Sequence, residues 1–281
     1  DSIAMAEIAF GREAIEARPH MFGIINANSP LRFDTRMVGA LLELARANQI
    51  VVVTPFILMG AMGPVAVPGA LAQQTAEALA GIALVQLVRK GCPAMLGSFV
   101  SNTDMQSGSP GFGGPESAIG LLASGQIARR YGLLWRSGGG GLTSSQTVDA
   151  QAASEAFNTM QAAFLAGANL VIHATGWLES GLVASYEKTM LDLEILRILQ
   201  AQFTPIEVDE PALAYAAHAE VGHGGHFFGT AHTLERFRDC FYRPFLFSTE
   251  NFDRWQGRGA LDTQARASAR WRELLAGWQR P

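Results

Sequence analysis

The sequence predicts an α/β protein with a parallel sheet, on three observations. Five short apolar runs alternate with longer stretches that have helical periodicity. Each run is continuously apolar over about five residues, as a strand buried on both faces requires. Polar residues or glycines follow every run on its carboxyl side. The alternation implies right-handed crossovers, in either an open doubly wound sheet or a closed barrel.

The strands and helices follow one another in regular order along the first 205 residues. The predicted strands are 20–26 (HMFGIIN), 49–55 (QIVVVTP), 93–99 (PAMLGSF), 131–136 (YGLLWR) and 168–175 (ANLVIHAT). The predicted helices, rich in Ala, Leu, Glu and Gln, are 35–47, 69–90, 115–130, 147–166 and 182–202. We therefore divide the chain into βα-barrel units over 1–205 and a C-terminal loop and helical segment, 206–281, that packs on the barrel.

A barrel is favoured because no dinucleotide fingerprint with an acidic ribose partner follows the first strand. Five strands cannot close an eight-stranded barrel. We therefore predict a TIM (β/α)8-type barrel that is incomplete in this chain, which would be its C-terminal larger part. The missing initiator methionine and the start within a predicted helix, residues 2–19, favour this interpretation.

Composition excludes several classes of protein. Of 281 residues, 48% are hydrophobic, which is enough to bury a core. The 21 basic and 25 acidic residues give a net charge of −4 without a clustered basic stripe, which argues against nucleic acid as a partner. Cys92 and Cys240 lie in no metal or disulfide spacing and are predicted to be reduced thiols. Apolar segments such as Ala76–Val88 are too short to cross a membrane, and we predict a cytoplasmic protein.

A run of four glycines follows the fourth strand, in the segment WRSGGGGLTSS. They are Gly138, Gly139, Gly140 and Gly141. Glycine alone reaches positive φ without strain, so such a run allows a tight turn or a close approach of the backbone to a ligand. Three uses remain open: a phosphate loop, although the usual lysine is absent, a plain turn before the next helix, or a loop that admits a bulky cofactor held by a partner protein.

Arg136 and His173 end neighbouring strands in matching positions and should point into the same mouth. A guanidinium against a parallel core needs an anion or a buried carboxylate. Arg136 therefore either pairs with a residue such as Asp104 or Glu179, or binds an anionic group of a ligand. His173 is either a core residue with satisfied hydrogen bonds or a group that binds ligand or handles protons near neutral pH.

Aromatic residues gather near the predicted mouth. Most aromatic residues are core residues, but several on one rim would attract a quaternary ammonium group through cation–π interactions. The candidates are Phe56, Phe99, Trp135, Trp177 and Phe228. His223, His226 and His232 are spaced by three and six residues, which is not a usual zinc motif, so we predict no metal and a loop packing over the barrel.

Several segments together resemble the trimethylamine methyltransferase superfamily of corrinoid-dependent enzymes, in order and over essentially the whole chain. They are PFILMGAMGPV (55–65), TDMQSGSPGFGGPE (103–116), SGGGGLTSSQTVDAQAASEA (137–156), HATGWLESG (173–181), ASYEKTMLDLE (184–194) and GHGGHFFGTAHTLERFRDCFYRPFLF (222–247). The resemblance implies a TIM barrel longer than this chain. It also implies transfer of a methyl group from a methylated amine to the Co(I) of cobalamin, carried by a separate small corrinoid protein. Gly138–Gly141 would then form a side-chain-free rim for the macrocycle.

The founding members of that superfamily carry pyrrolysine, whereas every residue here is an ordinary amino acid. The resemblance therefore points to the branch that acts on quaternary amines such as glycine betaine. A quaternary ammonium expels a neutral amine when its methyl carbon is attacked, so the protein need only bind and orient it. The aromatic residues would hold the trimethylammonium group, and Arg136 with His173 would hold a carboxylate. No catalytic residue is assigned.

Two other functions stay open. One is a truncated or vestigial, non-catalytic barrel fragment that binds a methylated amine. The other is a TIM-barrel lyase or aldolase without cobalamin, which Lys90 and Lys188 disfavour because both fall in helical segments rather than at strand ends. Glycine betaine, carnitine and proline betaine stay open as the particular amine, and so does a homo-oligomeric state.

Overall fold

A five-stranded parallel sheet forms the centre of the computed structural model, which describes residues 1–280. Its strands are β1 (Phe22–Ala27), β2 (Ile50–Pro55), β4 (Ala94–Ser98), β7 (Leu134–Ser137) and β8 (Leu170–Val171). They lie in chain order, β1-β2-β4-β7-β8, and every neighbouring pair is parallel. The predicted α/β class with a parallel sheet is confirmed. Across residues 1–280 the sheet is open, with β1 and β8 at its edges, so closure into a TIM barrel is not confirmed.

Short strands extend beyond the carboxyl ends of this sheet. β3 (Ile57–Met59), β5 (Val100–Thr103) and β6 (Pro110–Gly111) form a second sheet, and β9 (Trp177–Leu178) with β10 (Val183–Ala184) a third. β3 continues the chain from β2 and β5 from β4, separated in each case by one residue. The two small sheets therefore build over the carboxyl edge.

Crossover helices connect the strands of the central sheet. They are α3 (Thr35–Arg46), α4 (Val67–Val88), α5 (Pro115–Arg130) and α6 (Ala150–Leu165), followed by α7 (Tyr186–Gln202). Each of these helices packs against the next, so they lie on one face of the sheet. Asp34 and Asp149 cap α3 and α6 by accepting hydrogen bonds from backbone N–H groups in the first turn.

Two predicted elements differ most from the observed ones. The N-terminal helix is divided into α1 (Ser2–Phe10) and α2 (Arg12–Ala17) at Gly11, which has a φ of 88°. The last strand, predicted to run to residue 175, ends at Val171 because His173 has a φ of 62°, which is incompatible with extended structure.

The helix α4 is longer than the apolar segment considered from the sequence. Among residues 1–280, α4 is the one helix whose length and composition would allow it to cross a membrane. Its residues Ala78, Ile82 and Val85 are buried in the main core, and it packs against β2 and β4. These contacts are those of a core helix.

The C-terminal segment is helical but only partly buried. It contains α8 (Glu210–Leu213), α9 (Tyr215–Val221), α10 (Ala231–Cys240), α11 (Phe252–Gly257) and α12 (Thr263–Ala276). α12 packs on α7, and Leu246 and Ala267 share a core with residues of α6 and α7. The boundary between 1–205 and 206–281 stays a prediction.

Candidate ligand-binding site

A cavity of about 310 Å³ opens where the predicted mouth lies, at the carboxyl ends of the central strands. The side chains around it come from five strand ends and from the segments beyond them. Its lining residues are Asn26, Thr54, Phe56, Phe99, Phe112, Arg136, Leu142, His173, Trp177, Ser180 and Gly181. Five residues predicted from the sequence therefore meet in one cavity: Phe56, Phe99, Arg136, His173 and Trp177.

Arg136 is a buried cation without a counter-charge. Its side chain is 2% exposed, and one terminal nitrogen donates a long hydrogen bond of 3.4 Å to the Ser98 carbonyl oxygen. Its Nε atom is buried without a partner. Burial lowers the Arg136 pKa to about 10, so the group is still charged at neutral pH. Within residues 1–280, no carboxylate forms an ion pair with it, including Asp104 and Glu179.

His173 lies beside Arg136 with its Nδ1 atom buried and unpartnered. Burial lowers the pKa of its imidazole, and the positive charge of Arg136 lowers it further. The ring is therefore neutral at neutral pH and presents one donor and one acceptor nitrogen. The backbone carbonyl of His173 accepts a hydrogen bond of 2.7 Å from the Gly141 N–H, which fixes the residue against the glycine run.

A pH prediction follows from the depressed pKa of His173. The unfolded chain, with the ordinary value of 6.5, takes up this proton more readily than the folded protein. Stability from this group is therefore fully present above pH 6.5 and is lost as the pH falls below it. We expect His173→Gln to show a smaller decrease in unfolding free energy than the wild type between about pH 7 and 5, measured by urea denaturation. An equal decrease in the unfolding free energy of both proteins would contradict the lowered pKa of His173.

Aromatic rings form the rest of the cavity wall. The rings of Phe56 and Phe99 are 4.6 Å apart, and Phe112 packs edge-on against Phe99 at 5.2 Å. His173 lies edge-on to Trp177 at 6.0 Å. Aromatic faces are attractive to cations, so this wall complements a quaternary ammonium group.

Phe112 was not among the predicted site residues. It follows β6 in the loop before α5, and its place in the cavity depends on the pairing of β5 with β6. Asn26 and Thr54, polar residues near the ends of β1 and β2, also line the cavity and are not among the predicted site residues. Thr54 Oγ1 is buried without a partner and adds a third unsatisfied polar atom to the cavity.

Trp135 and Phe228 do not line this cavity. Trp135 is adjacent to Arg136 on β7 and therefore points to the opposite face of the sheet. It lies in the main core, where its Nε1 donates to Ser98 Oγ at 2.9 Å. Phe228 is 83% exposed in the loop before α10. The predicted rim therefore loses these two aromatic residues.

The four glycines are buried and do not form the exposed rim implied by the resemblance. A Cβ atom on Gly138 would lie 2.6 Å from the Ser98 carbonyl oxygen. A Cβ atom on Gly141 would lie 2.3 Å from the Ala174 carbonyl oxygen. Both distances are far inside van der Waals contact. Gly138 and Gly141 are therefore glycines because neighbouring backbone passes too close for a side chain. A Cβ atom on Gly140 would instead meet the side chains of Met160 and Val171, and Gly139 has a φ of 80°.

The histidine-rich loop carries no metal-binding geometry. His223 and His226 are exposed in the loop before α10, whereas His232 is half-buried in the first turn of α10. The described residues contain no group of three or more His, Cys, Asp or Glu side chains that could hold a metal ion.

The fold and the cavity define the class of protein: a parallel α/β protein with a cavity for a small molecule at the carboxyl edge of its sheet. The family model for trimethylamine methyltransferase (MTTB) matches residues 1–281, and the chain belongs to this family. The resemblance predicted from the sequence segments is thereby confirmed.

Three relatives show the range of similarity. The chain is 41% identical over its whole length to a glycine betaine methyltransferase of Desulfitobacterium hafniense (strain Y51), covering 58% of that protein. It is 31% identical over 93% of its length to trimethylamine methyltransferase MttB of D. hafniense (strain DSM 10664 / DCB-2), covering 52%. It is 29% identical over 94% of its length to a proline betaine:corrinoid methyltransferase of Eubacterium limosum, covering 55%. The chain thus spans about half the length of the curated relatives it matches.

Proposed function

We propose that the protein is a methyltransferase that moves a methyl group from a quaternary amine with a carboxylate, of the glycine betaine type, to the cobalamin of a separate corrinoid protein. Two of the relatives are named for betaines, and one of these is also named for a corrinoid. The observation that carries the proposal is the juxtaposition, in one cavity, of the unpaired Arg136 guanidinium and a wall of aromatic rings.

A zwitterionic ligand complements both the Arg136 guanidinium and the aromatic wall of the cavity. A buried guanidinium without a counter-charge is unfavourable, and a ligand carboxylate would supply the charge and charge-assisted hydrogen bonds. His173 and Thr54 have unpartnered polar atoms in the same cavity as Arg136 that can join these bonds. Phe99, Phe112 and Trp177 would surround the methylated nitrogen.

The cavity favours a quaternary over a protonated tertiary amine. No carboxylate is among its described lining residues, so an ammonium N–H would have no charged acceptor there. A quaternary nitrogen has no N–H and leaves as a neutral amine that retains the electron pair of the broken C–N bond. No lining group therefore needs to deliver a proton, which agrees with a neutral His173.

The corrinoid would supply the Co(I) nucleophile that accepts the methyl group. The residues of this chain bind the amine, orient its methyl groups and exclude water from the aromatic wall. Because Gly138–Gly141 are buried, we assign none of them to contact with the macrocycle.

We also propose that the open sheet is five strands of an eight-stranded barrel in the family's full-length proteins. Its strands follow chain order and its helices lie on one face, as in a barrel wall, whereas a doubly wound sheet has helices on both faces. The cavity then lies at the face where barrel enzymes bind their substrates.

The test combines binding with turnover in the intact protein. We expect glycine betaine to bind in calorimetry more tightly than choline, which lacks the carboxylate, and than dimethylglycine, which lacks one methyl group. Only quaternary amines should methylate Co(I) cobalamin in the presence of the protein, followed by the change in the corrinoid absorption spectrum. Binding without turnover would favour the non-catalytic alternative, and failure to bind any of the three ligands would contradict the proposal.

A further inference from the structure

A buried ion pair lies next to the cavity without lining it. Lys188 and Asp192 are one turn apart on α7, and their side chains are 0% and 2% exposed. Burial disfavours both charges, lowering the pKa of Lys188 and raising that of Asp192. Buried pairs of this kind are often no more stabilising than apolar residues of similar size, so stability alone does not explain the pair.

The two side chains hydrogen-bond to the backbone of the segment from His173 to Trp177 and to the backbone of Gly141, which is itself hydrogen-bonded to that segment. Lys188 Nζ donates to the Gly141 carbonyl oxygen at 3.0 Å and pairs with Asp192 Oδ1. The other oxygen, Asp192 Oδ2, accepts from the Gly176 N–H at 2.7 Å. The Gly141 N–H in turn donates to the His173 carbonyl at 2.7 Å. The ion pair thus connects Gly141, which is hydrogen-bonded to His173, with Gly176, which precedes Trp177.

The backbone of the 173–177 segment has a conformation that depends on contacts with surrounding residues. His173 has a φ of 62° and Gly176 a φ of 87°. A left-handed non-glycine residue persists only where its surroundings fix it. Apolar side chains in place of the pair would fill space but leave a buried carbonyl and a buried N–H without partners.

We propose that Lys188 and Asp192 are positioning residues, which hold the 173–177 segment so that the imidazole of His173 and the indole of Trp177 face the ligand. The inference rests on the proposed function, because it takes the cavity to be the ligand site. It adds two residues of α7 that touch neither the ligand nor the cavity.

Charge-neutral double variants test the pair without leaving one buried charge alone. Lys188→Met with Asp192→Leu removes both contacts, whereas Lys188→Met with Asp192→Asn keeps an amide oxygen for the Gly176 N–H. Glu194→Gln is the matched control, since Glu194 is also a buried carboxylate of α7 but accepts from Tyr242 and Leu246, in the C-terminal segment. All variants are made in the intact protein and measured well below their melting temperatures.

We expect the Met/Leu variant to bind glycine betaine about tenfold more weakly than the wild type, and the Met/Asn variant to lie between them. The pKa of His173, followed by NMR of its ring, should rise toward 6.5 in the Met/Leu variant as the segment loosens. Glu194→Gln should change neither quantity. If the Met/Leu variant does not fold, the Met/Asn variant replaces it in both measurements, and it should show the same two effects to a smaller extent.

Wild-type betaine affinity and an unchanged His173 pKa in a folded double variant would overturn the inference. The His173 pKa requires no ligand. If the wild type binds no betaine, the proposed function fails, while the NMR measurement still decides whether the pair positions the segment.

Discussion

Arg136→Met is expected to raise the melting temperature of the ligand-free protein while greatly weakening the binding of glycine betaine. Burial of the guanidinium lowers its pKa from the ordinary arginine value to about 10, equivalent to roughly 3 kcal/mol of unfavourable burial. Methionine fills similar space without charge, and we expect a net stabilisation of roughly 1 kcal/mol or more. The same change removes the partner of the ligand carboxylate, which should weaken betaine binding on the order of a hundredfold. Differential scanning calorimetry and isothermal titration measure the two effects.

A rise in melting temperature together with a loss of betaine affinity distinguishes a binding residue from a structural one. Arg36→Met is the control, because Arg36 is exposed on α3 and its replacement should alter neither quantity. Choline, without a carboxylate, should bind the Arg136→Met variant at least as well as the wild type. A variant that melts at a lower temperature and still binds betaine normally would make Arg136 a structural cation.

Gly141→Ala is expected to destabilise the protein by more than about 2 kcal/mol, or to prevent folding. The new methyl group would lie 2.3 Å from the carbonyl oxygen and 2.7 Å from the carbonyl carbon of Ala174. Both are backbone atoms and cannot rotate away as a side chain can. A shift would also break the contacts of Gly141 with His173 and Lys188.

Gly39→Ala provides the matched control. Gly39 lies within α3, and a Cβ atom there would meet nothing within 4 Å. Alanine should therefore stabilise the helix by up to about 1 kcal/mol, measured by urea denaturation. If Gly141→Ala left stability unchanged but lowered methyl transfer to the corrinoid protein, the glycines would regain the role of a cofactor rim.

The strands β2 and β4 could be predicted because they are buried along almost their whole length, and β2 is accordingly continuously apolar over IVVV. Arg136 and His173 could be predicted because polar side chains at the ends of parallel strands meet at one edge. The same reasoning assigned Trp135 to the mouth. Because neighbouring residues of a strand point to opposite faces of the sheet, Trp135 and Arg136 cannot both point into the mouth.

Other features depend on contacts between distant segments. Phe112 is placed in the cavity by the pairing of β5 with β6 and by hydrogen bonds to Ser144, and its sequence neighbours are glycines, serines and prolines typical of any loop. The burial of the glycine run depends on Ser98 and Ala174, which approach it from neighbouring segments. A run of glycines indicates close approach, but not whether a ligand or the protein's own backbone makes it.

A crystal structure of the protein with glycine betaine tests the central claim most directly. We predict a carboxylate oxygen within hydrogen-bonding distance of the Arg136 guanidinium, and the methylated nitrogen among the rings of Phe99, Phe112 and Trp177. A ligand bound outside this cavity, or bound inside it with the methyl groups against Arg136 and the carboxylate against the rings, would contradict the account.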